Sequence, residues 1–269
     1  FRVPEIIEVR LDGEAQKGVY PKDVILEVLG RIRADGAVYK AIDFTGSYVE
    51  KLNVAGRMTI CNMAVEMGAK TAYMQPNADV LNYVDKRAVR PYEVQFTDPD
   101  FQYEESYVFD VSKIEPNLAC PSSVENVHPL SEVVANGPIK LDQGYIGSCT
   151  GGRVEDIAIA AKILKGRHIP EYTRLIVVPA SNEVMQECMK AGYIQDLMNA
   201  GATITTPGCG ACLGAHEGIL APGEVCITST NRNFPGRMGS TEALMYLASP
   251  ATVAASMVNG CITDPRDFL

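Results

Sequence analysis

Apolar runs that end in glycine-rich turns and restart as helices dominate the second half of this 269-residue chain. Residues 139–146 read as a strand entering Gly147-Ser148-Cys149-Thr150-Gly151-Gly152-Arg153, and residues 154–164 then place apolar side chains at helical spacing up to Gly166. Residues 175–179 read as a buried strand and 182–190 as a helix. Residues 202–206 form a strand entering a second glycine-rich loop, and 225–228 form another strand. Ser249-Pro250 supplies the cap and first turn of a last helix, which Gly260 closes. Such alternation buries its strands as a largely parallel sheet with helices on both faces. In sheets of that kind, functional loops leave the carboxyl ends of the strands.

The first half obeys the same grammar less strictly. Residues 5–11 read as a strand, and 22–32, opened by Pro21, as a helix with Val24, Ile25, Val28, Leu29 and Ile32 on one face. Residues 38–44 read as a strand and 57–67 as a helix stopped by Gly68. Residues 85–112, polar and aromatic with interspersed prolines, read as an irregular excursion. A shift to Pro, Ser, Asn and Val at 117–137 suggests a boundary, giving two α/β domains over 1–135 and 136–269.

A net charge of −9 argues against nucleic acid or an anionic membrane surface as partner, and the basic residues are dispersed. No run of 18 apolar residues offers a membrane span. Eight cysteines without a signal-peptide pattern point to reduced thiols or metal ligands, with the cytoplasm as the expected compartment.

Three cysteines stand apart, each in a glycine-rich turn: Cys149, and the pair in Gly208-Cys209-Gly210-Ala211-Cys212. Three thiolates give a metal centre three ligands and leave one position open, the mark of a catalytic rather than a structural site. The turn at Cys149 has neither the Walker spacing nor G-x-G-x-x-G, which sets a phosphate loop aside. Spacing leaves two metals open. An iron–sulfur cluster needs only the three cysteines, whereas zinc would recruit His216, four residues past Cys212, into a closed Cys3His site. Cys61, Cys120, Cys188, Cys226 and Cys261 carry no such signal, and buried structural thiols suit Cys188 and Cys226.

Two further segments bear chemistry. In Asn231-Arg232-Asn233-Phe234-Pro235-Gly236-Arg237, two arginines five apart suit a carboxylate clamp, although loop arginines often form only surface salt bridges. Asn62 and Glu66 are four apart on the 57–67 helix and share a face. A buried Glu66 would hold its proton to higher pH and suit proton transfer; at a solvent-exposed helix end it would be an ordinary charge.

These segments together resemble the aconitase superfamily, in its branch of isopropylmalate dehydratase and homoaconitase large subunits. The motifs are Lys22-Asp23-Val24-Ile25-Leu26, Ile60-Cys61-Asn62-Met63 through Glu66-Met67-Gly68-Ala69, Gly147-Ser148-Cys149-Thr150, Cys209-Gly210-Ala211-Cys212, Asn231 through Arg237-Met238-Gly239, and Ala248-Ser249-Pro250. The resemblance implies an aconitase-like α/β fold and a [4Fe-4S] cluster ligated by Cys149, Cys209 and Cys212. It also implies Asn62, Ser148 and Asn231 lining the cluster, Glu66 handling protons, and Arg232 and Arg237 holding the carboxylates of a di- or tricarboxylate substrate. His216 is then a bystander.

The implied reaction interconverts 2- and 3-isopropylmalate by dehydration and rehydration, with homoaconitase as the neighbouring alternative. A non-catalytic zinc- or cluster-binding module is the alternative from another class. Two departures stand out. Gly151 occupies a position where the family usually has asparagine. The chain also matches the second and third domains of a three-domain large subunit, without the earlier histidine-bearing domain; the swivelling domain would be a separate small subunit.

Overall fold

In the computed structural model, which describes residues 2–269, the chain forms two sheets. The first contains β1 (Ile6–Asp12), β2 (Ala41–Thr45), β3 (Thr71–Tyr73) and β4 (Ser106–Asp110) in the order β3-β2-β1-β4, with every pair parallel. In register, Ile7 faces Ile42 and Val9 faces Phe44, and all four are buried. α1 (Pro21–Ile32) makes the crossover from β1 to β2. It sinks Val24, Ile25, Val28, Leu29 and Ile32 into the core, as its apolar spacing predicts. α2 (Ser47–Lys51), α3 (Val54–Met63) and α4 (Ala78–Asp85) follow. α3 and α4 are capped by Asn53 and Asn77, whose side chains accept from Gly56 N and Val80 N.

The second sheet has seven strands: β5 (Asn117–Ala119), β6 (Val127–Pro129), β7 (Gln143–Gly147), β8 (Arg174–Val178), β9 (Thr203–Ile204), β10 (Val225–Thr228) and β11 (Leu244–Leu247). Their order is β6-β5-β11-β10-β7-β8-β9. The five from β11 to β9 run parallel, while β5 and β6 add an antiparallel edge. Around this sheet lie α5 (Leu130–Ala135), α6 (Ser148–Gly151), α7 (Val154–Leu164), α8 (Asn182–Lys190), α9 (Tyr193–Asn199) and α10 (Pro250–Asn259). Ser249 caps α10 through a bond from Thr252 N, and Gly260 ends it in the left-handed conformation. No helix among the described residues is long and apolar enough to cross a membrane.

Several local expectations shift. The excursion at 85–112 contains β4, an edge strand with only Phe109 buried, so its sequence lacks a clear apolar face. The helix expected at 57–67 ends at Met63, and Ala64–Met67 tightens into a 3-10 turn closed by left-handed Gly68. α4, α9 and β11, of only 8, 7 and 4 residues, are too short to be legible from sequence. The chain changes sheet between Asp110 and Asn117, upstream of residue 135, because β5 and β6 pair with β11 rather than with the first sheet.

α1 also bridges the two sheets. Asp23 accepts from Asn117 N of β5 at 3.0 Å and from Tyr20 N at 2.8 Å. Its carboxyl is wholly buried, and burial pushes it up to about 7 against the pull of those N–H donors.

Candidate functional site

β7 and β10 are parallel neighbours, so their carboxyl ends deliver two loops side by side. From β7 comes α6, bearing Cys149; from β10 comes Ser229-Thr230-Asn231-Arg232. The carboxyl end of α3 packs onto α6, where Thr59 Oγ1 donates to Thr150 O at 3.0 Å. Asn62, one turn further along, donates its amide to Cys149 Sγ at 3.0 Å and to Thr150 Oγ1 at 2.6 Å. Thr150 Oγ1 in turn donates to Asn231 Oδ1. Cys149, Asn62 and Asn231, drawn from three segments, therefore form one hydrogen-bonded chain.

The second cysteine loop is anchored from below. Tyr145 on β7, fully buried, donates its hydroxyl to the carbonyl of Cys209 at 2.7 Å. Cys149 and Cys209 are exposed and Cys212 is buried, with Arg237 Nη2 3.9 Å from its Sγ. His216 is exposed, at a positive φ of 72°. Among the described residues, no three His, Cys, Asp or Glu side chains converge on a single metal ion. The three cysteines are thus not gathered on a single ion, with or without His216.

Glu66 and Arg232 meet at the same rim, Arg232 Nε lying 2.8 and 2.9 Å from the two carboxylate oxygens. The Glu66 side chain is 8% exposed and that of Arg232 is 36% exposed. Burial raises the Glu66 carboxyl above its ordinary value, against the opposing pull of Arg232, Lys22 and Arg237. The break at Met63 means that Glu66 reaches this position from the 3-10 turn, not from one helix face shared with Asn62.

Five buried side-chain polar atoms have no partner among the described residues; besides Asp43 Oδ1, Arg153 Nε and Asn233 Oδ1 they are Ser148 Oγ, next to Cys149, and Arg237 Nε, on the side chain that approaches Cys212. Each such orphan costs about 1–3 kcal/mol unless an acceptor meets it. Anionic sulfur at the three cysteines is an acceptor of the right charge, and Asn62 already donates to one of them. The donor set therefore fits a sulfur-rich anionic group held by Cys149, Cys209 and Cys212.

Gly151 has a steric reason. A Cβ there would lie 2.4 Å from Ser229 Oγ and 2.8 Å from Ser229 O, closer than real Cβ atoms come. The glycine lets α6 close onto Ser229, whose hydroxyl accepts from Gly147 N at 3.0 Å and donates to Gly151 O at 3.2 Å.

A family model described as "Aconitase family (aconitate hydratase)" matches residues 1–260. The chain belongs to the aconitase family. This aconitase-family chain is 49% identical over 266 residues to a probable methanogen homoaconitase large subunit of Methanothermobacter thermautotrophicus, covering 99% of itself and 61% of that protein. It is 52% identical over 272 residues to 3-isopropylmalate dehydratase large subunit 1 of Methanopyrus kandleri, covering 100% of itself and 64% of that protein. It therefore spans less than two thirds of the length of either relative. The crystal structure of Thermococcus kodakaraensis aconitase X (holo-form) aligns with 89% of this chain and 54% of its own, at 12% identity and a TM-score of 0.46.

Reasoning from sequence missed the supports beneath the site: Thr150, Tyr145, Ser229 and Lys22. For Lys22 a signal was available. A lysine in the first turn of a helix opposes the helix dipole, so it needs a reason from elsewhere in the fold.

Proposed function

We propose that this chain is the cluster-bearing part of a hydro-lyase large subunit, and that the complete enzyme interconverts 2- and 3-isopropylmalate by dehydration and rehydration, a step of leucine biosynthesis. The observation that carries the reading is the set of donors at two of the three cysteines: Asn62 on Cys149, Arg237 toward Cys212, and the partnerless Ser148 hydroxyl beside Cys149. A [4Fe-4S] cluster held by Cys149, Cys209 and Cys212 would supply Lewis-acid polarisation of a substrate hydroxyl through the iron left without a cysteine.

The chain's own residues do the rest. Asn62 orients the Cys149 sulfur, and Asn231, tied through Thr150, holds the arginine loop against it. Arg232 fixes the Glu66 carboxylate through Nε, and its Nη groups and the Arg237 guanidinium bind substrate carboxylates. Glu66, its side chain largely buried and its proton affinity raised, takes and returns a proton at the substrate. A swivelling small subunit and a further histidine-bearing domain complete the machinery. The identity to a homoaconitase large subunit supports a homologous hydroxy-tricarboxylate as the second substrate choice.

Anaerobic reconstitution with iron and sulfide tests the reading. The expected product is brown, with a broad visible absorption shoulder that Cys149→Ser abolishes and Cys188→Ser keeps. A colourless protein holding one zinc per chain overturns it.

A further inference from the structure

Lys22 lies in the first turn of α1, and 2% of its surface is exposed. Its ammonium donates to Thr230 O at 2.6 Å and Ser229 O at 3.3 Å, and lies 3.1 Å from Met63 Sδ. All three partners are neutral, and Lys22 joins no salt bridge within 4.0 Å among the described residues. A buried cation without an anion costs several kcal/mol, so a fold that keeps one at this place must recover the cost somewhere.

The nearby carboxylates are already engaged. Glu66 is bound by Arg232, Asp23 accepts from Tyr20 N and Asn117 N, and Asp156 accepts from Arg153 N at 3.0 Å. Burial pulls the Lys22 ammonium down to about 8. The cation thus sits beneath the loop that carries Asn231 and Arg232, and Ser229, whose carbonyl it holds, bonds through its hydroxyl to Gly147 N and Gly151 O on either side of Cys149.

We propose that Lys22 is the buried counter-cation of the cysteine-bound cluster and, through the Ser229 and Thr230 carbonyls, the residue that positions the arginine loop beside it. This rests on the cluster reading above. Three thiolates bring three negative charges against the two positive charges of a resting [4Fe-4S] core, so the assembly is anionic, and Lys22 adds a fully buried cation to the half-buried Arg237 beside Cys212. Lys22 is a positioning residue: it touches neither substrate nor the reacting atoms.

The test compares the anaerobically reconstituted chain with Lys22→Gln, which keeps N–H donors for the two carbonyls but removes the charge, Lys22→Met, which removes both, and Lys22→Arg, which keeps the charge. The readouts are the visible absorption, the midpoint potential of the cluster's one-electron reduction, and thermal unfolding of the metal-free protein. Both neutral variants should shift the potential in the negative direction, because a lost positive charge disfavours adding an electron, while the arginine variant stays nearer the wild type. Lys22→Gln should unfold close to the wild-type temperature, which separates the charge effect from a loss of fold. Folded, cluster-loaded Lys22→Gln with an unchanged potential overturns the counter-cation alone. A wild-type chain that takes up no cluster overturns the cluster reading and this inference together.

Discussion

Gly151→Ala adds one methyl group at the tightest point of the site. The new carbon would sit 2.4 Å from Ser229 Oγ, 2.5 Å from Ser229 Cβ and 2.8 Å from Ser229 O. Neither a rotamer change at Ser229 nor a shift of its hydroxyl relieves the contact with its backbone oxygen, so α6 and the loop after β10 must move apart. Overpacking of this kind costs about 1–3 kcal/mol. The separation also strains the two hydrogen bonds of the Ser229 hydroxyl, to Gly147 N and Gly151 O, at about 1 kcal/mol each. For a protein of this size, with about 2–4 °C per kcal/mol, the metal-free chain should melt roughly 5–15 °C below wild type. The assay is thermal unfolding followed by circular dichroism, repeated with Gly151→Ala/Ser229→Gly. The double variant should recover part of the loss, because it removes two of the three clashing atoms. A single variant melting within about a degree of wild type, or a double variant no better than the single, would refute the packing account.

Two further outcomes follow from buried charge. The Asp156 carboxyl, pushed by burial from 3.8 to about 7, keeps its proton in the folded chain across a window where the unfolded chain has lost it. Folding takes up protons there, so this group's contribution to stability is fully present below about pH 4 and is lost as pH rises toward 7; Asp23 acts in the same direction. Asp156→Asn should flatten that slope in urea titrations of the metal-free protein, and an unchanged slope would remove the assignment. Arg237→Lys replaces the planar fork beside Cys212 with a single ammonium. It should weaken binding of a dicarboxylate substrate analogue by about tenfold while the cluster's absorption persists; unchanged affinity in a calorimetric titration counts against Arg237 as a carboxylate ligand.

The second half of the fold was legible because β7, β8 and β10 are buried on both faces and end in clear turn signals: glycines after β7, Pro179 and the N-cap Ser181 after β8, and Pro235-Gly236 beyond β10. β4 and β11 were not, because an edge strand and a four-residue strand carry too little pattern to separate from loop. At the site, the three cysteines and two arginines announced themselves by residue type and spacing. Lys22, Thr150 and Ser229 did not, since hydroxyls and a lysine near a helix start are common, and their importance lies in pairing across 80 to 210 positions of sequence, as from Lys22 to Thr230. Gly151 reads from sequence as a lost side chain; its coordinates make it a contact that a side chain would forbid.

The antiparallel edge of the second sheet has a kinetic consequence. Ala119 of β5 pairs locally with Val127 of β6, but joins the rest of the sheet through Leu247 of β11, 128 positions on (247 − 119), whereas β1, β2 and β4 can pair once residues up to 110 exist. Pairings so distant in sequence close slowly, because the loop entropy is spent before the contacts return anything. Lys22 likewise meets Thr230 only after β10 is in place. On a ribosome, the first sheet is therefore expected to fold while the cysteine loops are still being made. The loops that carry Cys149, Cys209 and Cys212 would be among the last parts to take shape, leaving a period in which all three thiols are exposed and unclaimed.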